Sequence, residues 1–161
     1  MSGGDFTVAV DLSTPNTPVD STVLVRRPGA VETVRITAPD LREAQRKRSS
    51  IRAGFEESGG RVDVLLDVVV HIAPDARTAR REAGGGHRGG HTVVYVGTPS
   101  GLASLICDIR AADVADGVIA VPAVAVGSSR DSCVQLLLDD VLPILEARGL
   151  TPDAAARQHA G

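Results

Sequence analysis

The sequence is poor in aromatic residues and carries no excess of positive charge. Its 161 residues include two phenylalanines, one tyrosine and no tryptophan, and the formal net charge is −3. Single-stranded nucleic acid is bound on aromatic platforms and basic grooves, so we predict that nucleic acid is not a partner. The apolar 43% of the chain is mainly Val, Leu, Ile and Ala. This composition suits parallel strands covered by helices.

Cysteine and long apolar runs are also scarce. Cys107 and Cys133 are too few for a disulfide framework, and neither belongs to a Cys-x-x-Cys pair. No apolar run approaches the roughly 20 residues that cross a bilayer, and Met1 to Asp11 has no basic region followed by an apolar core. We therefore expect a cytoplasmic protein without membrane contact, whose cysteines are small buried hydrophobes.

Strand-like segments alternate with helical ones along residues 1–150, which we interpret as one domain followed by a frayed tail at 151–161. A parallel sheet with right-handed helical crossovers follows from this alternation. From the residues alone, the sheet could be an open doubly wound fold or an arc of an eight-stranded barrel. The five predicted strands are TVAVDL (7–12), VETVRIT (31–37), VDVLLDVVVHIA (62–73), TVVYVG (92–97) and DGVIAVPAV (116–124).

Several residues predict where helices begin and end. Asp40 and Glu43 have capping-box spacing, and Thr98 followed by Pro99 is typical of a helix start. Pro143 must kink the last helix or split it in two. The β-branched stretch VDSTVLVRRPG (19–29) is interpreted as a short helix, and the glycine-rich segment 84–91 as a flexible surface loop.

The order of these segments resembles the bacterial luciferase-like family of flavin-dependent monooxygenases, over roughly Val8 to Leu150. The resemblance is carried by VRITAPDLREAQRKRSSIRA, VLLDVVVHIAPDARTARRE, YVGTPSGLASLI, ADGVIAVPAV and LLLDDVLPILEARGL. It is most specific at Gly97-Thr98-Pro99 and in the terminal helix, and it matches the C-terminal half of the family. It implies a partial (β/α) TIM-type barrel of about five parallel strands.

The resemblance also implies a cofactor and a reaction class. Family members hold reduced FMN, or a deazaflavin in some branches, and use it with oxygen or in hydride transfer. The loop after their first matching strand often carries a phosphate-binding turn, which corresponds here to Ser13 and Thr14. Pro15 removes one amide donor from that turn, so this match is partial.

Other polar residues have possible roles that the residues themselves suggest. His71, near the end of a strand, is the candidate for proton transfer, although packing against a helix is the commoner role for such a histidine. The segment GSSR (127–130) could bind an anion or simply cap the last helix. His87 and His91 lack a third ligand, so we predict no metal site. The basic cluster at 42–52 is interpreted as a solvated helix face.

No segment of this sequence corresponds to the N-terminal half of the family, and an arc of a barrel exposes strand edges and an apolar inner surface. We therefore expect a homodimer, or a complex with a separate N-terminal half. Two functions follow. The chain is a truncated flavin-dependent oxidoreductase of monooxygenase type that needs such a partner, or a non-catalytic half-barrel that binds no cofactor and serves protein interaction.

Overall fold

The computed structural model describes residues 6–13, 21–25, 32–84, 90–123 and 128–150. Strands and helices alternate through most of this part of the chain, as predicted. The strands are β1 (Thr7–Asp11), β2 (Ser21–Val25), β3 (Thr33–Ile36), β4 (Asp63–Ile72), β5 (Val93–Gly97) and β6 (Gly117–Pro122). The helices are α1 (Leu41–Glu57), α2 (Ala76–Ala83), α3 (Pro99–Ala111), α4 (Ser128–Leu136) and α5 (Leu142–Ala147), with a π-helical turn (Leu137–Val141) between the last two.

All the strands belong to one sheet, and β4 lies at its centre. The order is β2-β1-β6-β4-β3, and β5 also pairs with β4. Since β6 pairs with residues 65–70 of β4, it occupies one edge of that strand; β3 pairs with residues 63–66 and β5 with residues 68–72 on the other edge. Every pairing is parallel except that of β1 with β2. The predicted α/β class with a mostly parallel sheet is confirmed.

The interpretation of residues 19–29 as a short helix was wrong where the structure describes them. Residues 21–25 form β2, which pairs antiparallel with β1. Thr22, Val23 and Val25 are β-branched and favour an extended backbone, and a vacant edge of β1 was available to them. The consequence is that β2 shields an edge of the parallel sheet that the sequence had suggested would be open.

One face of the sheet carries the main core. Alternate residues of β4 point to this face and are fully buried, and α1, α3, α4 and α5 pack over them. Continuous burial by helices explains why this strand is so rich in branched apolar residues. We call this the helix-covered face; its β4 residues are Val64, Leu66, Val68, Val70 and Ile72.

The predicted helix boundaries are confirmed by their capping contacts. The side chain of Asp40 accepts from the Glu43 amide, and that of Thr98 accepts from the Gly101 amide with Pro99 in the first turn. Pro143 does interrupt the last helix. The Leu142 amide bonds to the Leu137 carbonyl, five residues back, because proline cannot continue the regular ladder that follows.

The basic cluster on α1 is only partly a solvated face. Arg48 donates from Nε and Nη2 to Oδ1 of Asp116, at 3.2 and 3.0 Å, and Arg52 lies 3.8 Å from the same atom. Oδ2 of Asp116 accepts from the Val64 amide at 2.9 Å. Asp116 is 3% exposed. These bonds fix α1 to the amino end of β4 and β6, so two arginines of the cluster have a structural role.

The opposite face, which we call the second face, is smaller and more polar. A short apolar cluster of Ala9, Leu65 and Ile119 lies at its centre. By the strand registers, the other residues that point to this face include Asp11, Arg35, Asp67, Val69, Val94, Val96, His71 and Val121. This face contains the polar groups that the parallel strands bring together.

The second face is concave. In a flat sheet, Arg35 of β3 and Asp11 of β1 would be about 14 Å apart across the strands and about 13 Å apart along them. Their side chains nevertheless bond at 2.7 Å. The sheet must therefore curl around this face, as a segment of a barrel wall does.

Two of the predicted segments fall outside the described residues: most of the glycine-rich loop, at 85–89, and the tail at 151–161. Within the described ranges, no helix combines the length and the apolar character needed to cross a membrane.

Candidate functional site

The carboxyl ends of the parallel strands meet at one edge of the sheet. In parallel α/β proteins, ligands bind at this edge, because the loops there are free to vary without disturbing the sheet. Asp11 ends β1, Ile72 ends β4 and Pro122 ends β6. The start of α4, at Ser128, lies on the same side. This edge and the adjoining second face are therefore the candidate site.

A tight turn follows β1 at this edge. The Ser13 amide donates to Oδ1 of Asp11 at 2.8 Å, which is the Asx-type bond that stabilises such turns. Burial alone would raise the pKa of Asp11, but bonds from Ser13 and Arg35 outweigh it, and the pKa is lowered. The carboxylate thus stays ionised and holds the turn. Thr14, the other predicted phosphate ligand, lies outside the described residues.

Arg130, from the first turn of α4, reaches this turn. Its Nη2 donates to the Leu12 carbonyl at 3.0 Å. The sequence had suggested Ser13–Thr14 and residues 127–130 as separate anion-binding candidates, and the structure brings Ser13 and Arg130 to one place. A guanidinium at a helix start is suited to recognising an anionic group.

Asp11 also belongs to a bridge of charges across the second face. Arg35 donates from Nε to Oδ1 of Asp67 at 2.5 Å and from Nη2 to Oδ2 of Asp11 at 2.7 Å. Burial raises the pKa of Asp67 despite its bond to Arg35, and the nearby Asp11 charge adds to this rise. The bond to Asp67 raises the pKa of Arg35. Two carboxylates thus share one guanidinium, and the bridge has a net charge of −1.

Sequence reasoning missed this bridge. Asp67 stands inside the apolar strand segment VDVLLDVVVHIA (62–73). A signal was available, because a charge in the middle of a buried strand requires a partner. The partner could not be identified, because Arg35 lies 32 residues away in the chain and only the strand order in the folded sheet puts β3 beside β4.

Three valines lie side by side next to the bridge. Val69 of β4 is in register with Val94 of β5 and with Val121 of β6. Each is only partly buried. We call them the valine row. It gives the candidate site an apolar surface on the carboxyl side of Asp67.

His71 is on the second face but is enclosed. It is 1% exposed, and Oε1 of Glu82 in α2 lies 3.5 Å from its Nε2. Neither ring nitrogen has a hydrogen bond within the described part of the chain. Since α2 also packs on β4 and β5, it lies over His71. Its candidate role in proton transfer stays a prediction, and Glu82 is the group placed to orient the ring.

Cys133 lies on the opposite face of the sheet from His71. Its Sγ lies 3.9 Å from the Val70 carbonyl, in the core of the helix-covered face, on the other side of β4. Burial raises the pKa of this thiol, which keeps it protonated. Among the described residues, no group of three or more His, Cys, Asp or Glu side chains could hold a metal ion.

Two open depressions lined by described residues lie on α1, with volumes of about 500 and 400 Å³. A third cavity, of about 80 Å³, lies between β1, β2 and the last helix, and Leu12 at the turn after β1 belongs to its lining. This third cavity is smaller than the roughly 300 Å³ that drug-sized ligands need. The Ser13 amide and hydroxyl both bond to Asp11, so Arg130 is the described donor beside this turn that fits the phosphate end of a flavin mononucleotide.

Comparison with known proteins finds solved structures with a similar fold. No family model matches the sequence, and no curated protein matches it significantly. Among solved structures, it is similar to EDTA monooxygenase (EmoA) from Chelativorans sp. BNC1, with a TM-score of 0.60 and 15% identity over 80% of this chain and 44% of that one. It is also similar to DmoA from Hyphomicrobium sulfonivorans, with a TM-score of 0.59 and 14% identity over 77% of this chain and 39% of that one.

The chain spans less than half the length of either solved protein. At 14–15% identity the likeness concerns the fold and not the chemistry. At the level of the fold the predicted resemblance is confirmed: the chain has the fold of a part of EDTA monooxygenase and of DmoA, a partial TIM-type arrangement.

Proposed function

We propose that this chain forms part of a flavin-dependent oxidoreductase of monooxygenase type, with FMN bound at the carboxyl edge of the sheet. The fold shared with a monooxygenase supports the reaction class. The observation that carries the proposal is the bond from Arg130 to the Leu12 carbonyl at that edge, because it holds a guanidinium next to the turn that would receive the phosphate of FMN.

The roles of the chain's own groups follow from their positions. Arg130 and the Ser13 turn bind and orient the phosphate, and Asp11 keeps the turn in shape. The valine row excludes water from one side of the site. FMN, when bound, supplies the redox chemistry, which side chains cannot supply.

We further propose that a second copy of the chain completes the site. The valine row is partly exposed on a concave face, and apolar surface of this kind marks an interaction site. A separately encoded chain that supplies the missing wall would be an alternative partner, and analytical ultracentrifugation of the purified protein distinguishes it from a homodimer.

The test compares FMN with riboflavin, which lacks the phosphate. Both ligands are titrated into the wild type, Arg130→Gln and, as a control, Arg77→Gln, which changes an exposed arginine on α2. We expect Arg130→Gln to weaken FMN binding about tenfold, the effect of losing one charge-assisted bond, and to leave riboflavin unchanged. Arg77→Gln should bind both like the wild type.

Two results would contradict the proposal: no FMN binding by the wild type, or equal FMN binding by Arg130→Gln and the wild type. Thermal unfolding of each variant verifies that it is folded.

A second function, a non-catalytic interaction module, is favoured by one observation. The bridge of Arg35 already covers the centre of the second face, where Ala9, Leu65 and Ile119 are at most 8% exposed. A face closed in this way leaves less room for a cofactor. Absence of flavin binding together with stable self-association would support this alternative.

A further inference from the structure

We propose that Asp67 and Arg35 recognise a ring edge on which an N–H donor lies next to a carbonyl oxygen, the imide or amide edge of a planar heterocycle. This inference rests on the proposed flavin function and names the part of the site that would contact the ring. It follows from the unused bonding capacity of the two side chains.

Asp67 and Arg35 hold each other in one geometry, and each has further bonding groups that no other described residue occupies. Oδ1 of Asp67 accepts from Nε of Arg35 at 2.5 Å, whereas Oδ2 has no hydrogen bond to the described part of the chain. Arg35 has five N–H donors, and within the described residues it uses two of them, on Asp67 and Asp11. The side chain of Arg35 is 44% exposed and that of Asp67 is 13% exposed. A ligand can therefore reach both.

The charges select the kind of ligand. Between Asp67 and Arg35, a free anion would be repelled by the Asp67 carboxylate, and a free cation would compete with Arg35 for that carboxylate. A neutral edge with one donor and one acceptor avoids both penalties, because its N–H bonds to Oδ2 of Asp67 while its carbonyl accepts from Arg35. Bonds to charged partners are also the stronger kind.

The surroundings favour a planar ring. Asp67 is in register with Ile119, and the next residues on this face along the two strands are Val69 and Val121. A flat ring can lie on these two valines with its polar edge turned to Asp67. Asp11 connects the two parts of the site, since it bonds to Arg35 and also holds the Ser13 turn. The ring end and the phosphate end of one ligand could thus be held together.

The experiment uses FMN and its N3-methyl derivative, which keeps the ring and phosphate but lacks the N–H of the imide edge. We expect the wild type to bind FMN at least about tenfold more tightly than N3-methyl FMN, because the methylated ligand offers no N–H to the Asp67 carboxylate. Asp67→Ala should bind the two flavins equally. Asp108→Ala, which removes an exposed carboxylate on α3, should keep the wild-type ratio.

The outcomes separate this inference from the proposed function. If the wild type binds both flavins equally well, the imide-edge inference is wrong while the flavin function stands. If the wild type binds neither, both are wrong. The ratio of the affinities for FMN and N3-methyl FMN is measured on the wild type alone. It therefore tests the imide-edge inference even if Asp67→Ala fails to fold.

Discussion

At the scale of single residues, Asp116 has the largest structural role among the charged groups described above. It is 3% exposed and connects Arg48 and Arg52 of α1 to the Val64 amide in β4. Burial alone would raise its pKa, but bonds from Arg48 and Val64 outweigh burial, and its pKa is lowered. A charged group held in this way is stabilising only while it stays ionised.

Asp116→Asn should lower the free energy of unfolding by about 2 kcal/mol at pH 7, less than for a fully buried pair because Arg48 keeps some contact with solvent. A folded-state pKa below the unfolded value gives stability that is present above the unfolded pKa, near 3.8, and is lost as the pH falls through the folded pKa. The difference in the free energy of unfolding between wild type and variant, which we call the stability gap, should therefore shrink below about pH 4.

Urea unfolding from pH 7 to pH 3 measures this gap. Asp108→Asn is the matched control, since Asp108 is exposed, and it should stay within about 0.5 kcal/mol of the wild type. A gap that does not change with pH would contradict the assignment.

Gly117, at the start of β6, is required by close packing. A Cβ at this position would lie 2.5 Å from the Thr7 carbonyl oxygen and 2.5 Å from Cδ2 of Leu65. Because the backbone oxygen belongs to the neighbouring strand, it cannot move aside cheaply. We expect Gly117→Ala to lower the free energy of unfolding by about 1–3 kcal/mol.

Gly54→Ala provides the comparison for that variant. Gly54 lies in α1 with nothing within 4 Å of an added Cβ, so alanine should stabilise the helix by about 0.5–1 kcal/mol. Equal effects of the two substitutions in thermal or urea unfolding would disprove the packing argument.

At the scale of elements, the junction of β5 and α3 combines two helix-start signals with a short-range contact from the strand before them. Thr98 and Pro99 start the helix, as the sequence predicts. The Tyr95 hydroxyl then folds back to donate to the Thr98 carbonyl at 3.1 Å. It occupies the space that side chains at Gly97 and Gly101 would need. The glycines of GTPSG are thus explained by the tyrosine before them.

A double-mutant cycle tests this contact. Gly101→Ala alone should be destabilising by about 1–3 kcal/mol, because the new Cβ overlaps the Tyr95 hydroxyl. In the Tyr95→Phe background the hydroxyl is gone, and the higher helix propensity of alanine should make the same change neutral or stabilising. The free energies of unfolding of the four proteins give the coupling, and additive effects would refute the proposed overlap.

The last helix shows how far an element can be predicted. Pro143 indicated an interruption, and the structure has one. Its form, a π-helical turn, was not predictable from proline alone. The helix has Cys133 buried before this turn and Leu142 and Leu145 buried after it, so the form depends on the core that the helix meets.

At the scale of the whole molecule, the two faces of the sheet differ in how they are covered. The helix-covered face is buried by α1, α3, α4 and α5, whereas the second face has α2 at one end and the partly exposed valine row beside it. The edge of β1 is covered by β2. Association of copies is therefore expected through the second face and not through the edge of β1.

Val121→Asp should weaken self-association about tenfold or more, because it places a charge within an apolar contact surface. Sedimentation velocity over a range of concentrations measures the change. Ser49→Asp, on the exposed side of α1, is the control and should associate like the wild type. Equal association of Val121→Asp and the wild type would exclude the valine row as the interface.

The sequence by itself determined the alternation of strands and helices, the caps at Asp40 and Thr98, and the class of fold, because these depend on propensity, periodicity and contacts within a few residues. Tertiary structure alone decided that residues 21–25 pair as a strand, that Arg35 bridges Asp11 and Asp67, and that Arg130 meets the Ser13 turn. Each of these joins segments far apart in the chain, and only the order and curl of the strands in the folded sheet brings them within bonding distance.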